Sequence, residues 1–234
     1  MNQVFIIVRK EMKEIINNKI MLILGLIVAL TFIVLQVTVI SKAKVFTVDA
    51  LSNRVFNMSL FMGLFLGCVF SAQIFLREKQ EGIIETLLCA PVNLRSIWLG
   101  KVIAATILTY LISLLSLALL IIIINVISPS FLFPSSAVIF HILVGVSVFI
   151  TLIVGLIGFF QFLLAKSQAL MATVFIAGGL YIFVNEFTRY IIGENDITSW
   201  TGVGVFLIIC LALLAITIYL AKILSKEKIV TTIP

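Results

Sequence analysis

The chain is short of charge, histidine and cysteine, and each shortage excludes something. Only 11% of its 234 residues are charged and 62% are hydrophobic, whereas a soluble domain carries about 25% charged residues. A water-soluble globule is excluded; the solvent for most of this chain is the bilayer. Three scattered cysteines, Cys68, Cys89 and Cys210, give neither a disulfide framework nor a metal spacing. Cys68 and Cys210 lie inside apolar runs, where small buried or interfacial side chains are expected. The one histidine, His141, excludes the two-histidine zinc helix. No Gly-x-x-x-x-Gly-Lys-Ser/Thr loop is present to cradle nucleotide phosphates. Gly202-Val203-Gly204 is only a fragment of a dinucleotide signature. No nucleophile–base pair marks an intramembrane hydrolase, so the chain reads as no enzyme and as binding no cofactor or metal. No acidic residue stands at the middle of an apolar run, which argues against a proton- or sodium-driven carrier.

What is there is lipid-grade sequence. A helix crossing about 30 Å of hydrocarbon needs about 20 apolar residues. Six runs qualify, at 20–40, 55–76, 102–127, 137–165, 169–187 and 200–221. The fourth is longer than a span needs, and only Lys166, Ser167 and Gln168 separate it from the fifth. No segment between the runs is long enough to fold alone. Residues 1–234 therefore read as a single all-α polytopic membrane domain of six transmembrane helices. Glu11 and Glu14 precede the first run and no small-residue cleavage site follows it, so that run is expected to be retained.

The net charge of +6 does not point to nucleic acid, because the basic residues sit at the ends of apolar runs. With both termini on one side, the other side keeps only Lys42, Lys44, Arg54 and Arg189 of the 16 Lys and Arg. That asymmetry predicts cytoplasmic termini in a multi-pass plasma-membrane protein. Trp98 and Trp200 are expected at the membrane–water interface. Residues 1–19 predict an amphipathic interfacial helix. Val4, Phe5, Val8, Met12, Ile15 and Ile16 share one third of its circumference, with Arg9, Lys10, Lys13 and Glu14 opposite. Membrane lipid is its expected partner.

The segment 77–101, REKQEGIIETLLCAPVNLRSIWLGK, places seven charges, with Gly82 and Pro91 among them, between the second and third runs. Lipid would not tolerate it. Gly82 interrupts the incoming helix. Ile83, Ile84, Leu87 and Leu88 share a helical face beside an acidic ridge of Glu81 and Glu85. Pro91 stops this short helix and Asn93 caps the next. The product is an elbow able to pass a push from a cytoplasmic partner to two spans.

The order Glu78, Glu81, Gly82, Glu85, Leu87, Leu88, Pro91, Val92, then Leu99, Gly100 and Lys101, resembles the permease subunits of type-2 ABC transporters. Ile83 stands where Thr is usual. The motif covers about 25 residues, while the layout of an N-terminal amphipathic helix and six spans covers the chain. The resemblance implies a coupling helix that docks on a separate ATP-binding subunit, which would use ATP and Mg. It also implies a second permease subunit, identical or related, completing an export path. Glu78, Glu81, Gly82, Glu85, Leu87, Leu88 and Pro91 would carry the coupling. The alternatives are a haem-export-type cytochrome-maturation permease, or a stand-alone secondary carrier or channel.

Within the spans, Ser59, Gly63, Gly67 and Ser71 recur every fourth residue and form a smooth stripe for helix packing. Gln73, Gln161 and His141 are polar residues that could meet substrate, but their positions predict satisfaction near an interface. Glu186 and Arg189, three apart, are expected to pair.

Overall fold

The computed structural model describes residues 3–43, 47–80, 93–164, 166–193 and 197–222. Among them are seven helices and no strand: α1 (Gln3–Asn17), α2 (Lys19–Ala43), α3 (Val48–Gln80), α4 (Leu94–Ile127), α5 (Ser136–Leu163), α6 (Lys166–Ile192) and α7 (Trp200–Ala221). The six from α2 to α7 are long and apolar enough to cross a membrane. The chain is an all-helical multi-pass membrane protein.

Several helices outrun the apolar sequence that defines them. α3 begins at Val48, ahead of its apolar run, because Thr47 Oγ1 accepts the Ala50 N–H at 3.2 Å and Asp49 favours the positive end of the helix dipole. α4 begins at Leu94, where the Asn93 side chain accepts the Arg95 N–H at 3.1 Å. Their 33 and 34 residues extend about 50 Å, longer than the roughly 30 Å hydrocarbon core. Between α5 and α6 the chain turns at Leu164, whose backbone is extended (φ −96°, ψ 149°). Lys166 opens α6 rather than occupying the junction.

α3 and α5 form the centre: 61% of each apolar window is buried, against 22% for α2 and α7. α5 packs against α3, α4, α6 and α7, while α2 leans on α4 and α3. The exposed Leu, Ile and Val of α2 suit a helix that is apolar all round and faces lipid. Two polar links close the ends. Ser52 Oγ accepts the Ser135 N–H at 2.9 Å. At the other end, Arg95 donates to the Lys222 carbonyl at 2.7 Å. Asn125 holds the turn after α4 by accepting the Leu132 N–H at 2.7 Å and donating to its carbonyl at 2.9 Å.

Candidate functional site

Segment 77–101 enters from α3 and leaves into α4, and the structure describes both of its ends. α3 continues unbroken through Glu78 to Gln80. Glu81, Gly82, Glu85, Leu87, Leu88 and Pro91 lie outside the described residues, as does Cys89, and Glu78 is described in backbone only. From Asn93 onward the departing end is anchored.

That anchor is α1. Its helical order follows from residues 3–17, but its packing does not follow the expected apolar third. Ile7 and Glu11, spaced by four, turn toward α4 and Ile15 one turn on is buried, whereas Phe5 and Ile16 stay 60% and 51% exposed. The apolar surface is therefore wider than one contact uses. At Gly100 an added Cβ would lie 2.6 Å from Ile7 Cγ2 and 2.8 Å from Ile7 Cβ, so only glycine lets α1 approach this closely. One residue on, Lys101 Nζ donates to Glu11 Oε1 at 2.9 Å. Both side chains are almost wholly enclosed, at 1% and 4% exposed. The ammonium also sits 5.9 Å from the Phe75 ring centroid on α3. Burying two charges costs several kcal/mol each unless they are paired at good geometry. This pair satisfies that condition and locks α1 to the start of the third span. Gly100 and Lys101 were legible as motif residues; Glu11 was not singled out. Its signal was present, since an acid on the Ile7–Ile15 stripe demands a cation.

Trp98 is buried, its indole 3.4 Å from where a Cβ on Gly155 of α5 would stand. Trp200 is 59% exposed.

The stripe on α3 faces α5. A Cβ on Gly63 would lie 3.0 Å from Ile150, and one on Gly67 would lie 3.5 Å from Ile153. Ser59 and Ser71 are fully buried. Ser59 Oγ donates to the Phe56 carbonyl at 2.6 Å and lies 3.2 Å from His141 Nε2. A hydroxyl has one proton, so with that proton on Phe56 the imidazole must donate through Nε2–H. His141 is thus not satisfied at an interface. It is buried between Phe56 and Phe206, with ring centroids at 4.2 and 4.9 Å. The reason is a π-helical turn, His141–Gly145, within α5. Gly145 admits the ring: an added Cβ would meet Nδ1 at 2.6 Å. Gln161 is likewise internal, donating to Thr173 Oγ1 at 2.9 Å. Gln73 is exposed. No ion pair joins Glu186 to Arg189; Glu186 faces outward while Arg189 Nε is buried.

The arrangement can transmit force and can pack, but among the described residues no His, Cys, Asp or Glu cluster gathers to hold a metal. No curated protein matches the chain in sequence. Residues 7–185, from α1 into α6, match the family model described as ABC-2 family transporter protein. The chain, with its six long apolar helices, belongs to the ABC-2 family of transporter proteins, as a membrane-spanning permease.

Proposed function

We propose that this chain is the permease subunit of an ATP-driven export system in the plasma membrane, with both termini cytoplasmic. A separate ATP-binding subunit, using ATP and Mg, would grip the segment between α3 and α4. A second permease, identical or related, would complete the path. Family membership supports a partner ATPase. The observation that carries the coupling role is the anchored exit of the segment. α4 runs without a break from its Asn93 cap to Ile127, clamped at Gly100 and Lys101. A displacement delivered to Glu81, Gly82, Glu85, Leu87, Leu88 or Pro91 would then move a whole span rather than bend a loop.

The test uses proteoliposomes holding this chain with its co-purifying ATPase. Glu85→Arg reverses the charge of the proposed docking ridge and is expected to cut ATP-driven transport about tenfold, the worth of about 1.4 kcal/mol, with membrane insertion unchanged. Undiminished transport removes the docking assignment. Co-purification separates the competing readings: a stand-alone carrier brings down no soluble protein bearing a phosphate-binding loop. A haem-export role gains no support from His141, the one histidine, which is enclosed against Ser59, Phe56 and Phe206.

A further inference from the structure

The π-helical turn His141–Gly145 of α5 takes a polar contact from each of the two helices that border segment 77–101. From α3, Ser59 Oγ lies 3.2 Å from His141 Nε2. From α4, the Tyr110 hydroxyl donates to the Leu143 carbonyl at 3.0 Å and lies 3.4 Å from the Ile142 carbonyl. Along the helix axes, Ser59 stands about 32 Å from the end of α3 and Tyr110 about 24 Å from the start of α4. Both contacts are therefore made deep in the bundle, far from the segment itself. Beside them the α3–α5 interface is smooth, because Gly63 and Gly67 offer no Cβ to Ile150 and Ile153.

Such a turn has an alternative form. In the π form the Val146 N–H bonds to the His141 carbonyl, five residues back. An α turn would pass that N–H to Ile142, one of the two carbonyls that Tyr110 borders. It would also rotate the chain on one side by about 100° and shift it by about 1.5 Å against the other side. His141 would then leave its place between Phe56 of α3 and Phe206 of α7. Packed side chains of this kind take two discrete arrangements rather than a continuum. We propose that Ser59, Tyr110 and His141 are positioning residues that latch a register switch in α5. Motion of α3 against α4 releases the latch, the turn reverts to α, and α7 follows through Phe206. The latch is a property of this chain alone; its release by nucleotide rests on the coupling role proposed above.

The experiment is nitrogen NMR of the full-length chain carrying isotope-labelled histidine and a tag free of histidine. His141 is the one histidine of the chain, so this ring alone is seen. The chain by itself is expected to give one main set of resonances, with the proton on Nε2. Tyr110→Phe removes a single oxygen that does not touch the ring. It should raise a second set about fivefold, the effect of one lost hydrogen bond. Deleting Leu143, which is 57% exposed, removes the extra residue of the turn and leaves both flanks in register, so Tyr110→Phe should then give no second set. With the unlabelled, co-purifying ATPase and a non-hydrolysable ATP analogue with Mg, the native chain should show that same second set, and Glu85→Arg should abolish this response only. Absence of a second set in Tyr110→Phe would overturn the latch, whether or not the Leu143 deletion folds. Its presence there without any response to the ATP analogue would overturn release by nucleotide. A response that survives Glu85→Arg would instead remove the docking assignment and leave the latch standing.

Discussion

Lys101 and Glu11 show what a single side chain can commit this protein to. Both are almost wholly enclosed and meet at 2.9 Å, with Lys10 Nζ 3.8 Å from the same Glu11 oxygen, so removing either charge disturbs a buried ionic contact. Glu11→Gln or Lys101→Met is therefore expected to destabilise the chain by about 3–5 kcal/mol, whereas Glu11→Leu combined with Lys101→Met should recover most of that loss. Thermal unfolding in detergent reads both, and equal damage from single and double variants would refute the pairing. Hydroxyls make a second contrast. Ser116, Thr151, Thr173, Thr188 and Thr217 donate to carbonyls of their own helices. Thr109 is fully buried with no hydrogen-bond partner among the described residues. Thr109→Val, nearly isosteric, should leave stability unchanged or raise it by about 1 kcal/mol. Ser59→Ala should lower it by about 1–3 kcal/mol, because it strands the His141 Nε2–H. The same melting assay distinguishes them, and a Thr109→Val loss larger than that of Ser59→Ala would contradict these hydrogen bonds.

At the level of elements, α1 is the instructive case. Periodicity in residues 3–17 reveals a helix with an apolar side, and lipid is the obvious partner for that side. It cannot reveal that Ile7 and Glu11 are claimed by α4 instead. The claim rests on close approach at Gly100. Gly100→Ala places a Cβ within 2.8 Å of Ile7 Cβ, which is no flexible side-chain tip. Overpacking of this kind costs about 1–3 kcal/mol. Limited proteolysis should then release α1 sooner in the variant, with Ile7→Ala in combination restoring protection; no change in cleavage would mean that α1 is not held there. The π-helical turn in α5 escaped the sequence for a related reason. His141–Gly145 is as apolar as its surroundings, and the extra residue per turn is favoured only once Ser59, Phe56 and Phe206 enclose the ring.

For the whole molecule, α4 is long and apolar enough to cross a membrane, so its two ends, at Asn93 and Ser128, are expected on opposite sides of the bilayer. With both termini cytoplasmic, a Ser130→Cys variant with its native cysteines changed to serine should react with a membrane-impermeant maleimide in intact cells. Native Cys89 should react only after the cells are opened. Labelling of Cys89 from outside would invert the orientation and with it the proposed coupling.

The all-helical fold and the count of six membrane-length apolar helices were decided by the sequence itself. Each is a local property: about 20 contiguous apolar residues exclude water wherever they sit, and a helical period repeats within a few turns. Tertiary structure alone decided that Glu11 meets Lys101 across 90 residues and that Ser59 meets His141 across 82. It also buried Trp98 and paired Gln161 with Thr173 of α6. In lipid the hydrophobic effect does not select which helices pair. Close approach at glycines and the satisfaction of buried polar groups do, and both depend on the register between helices that no single stretch of chain contains.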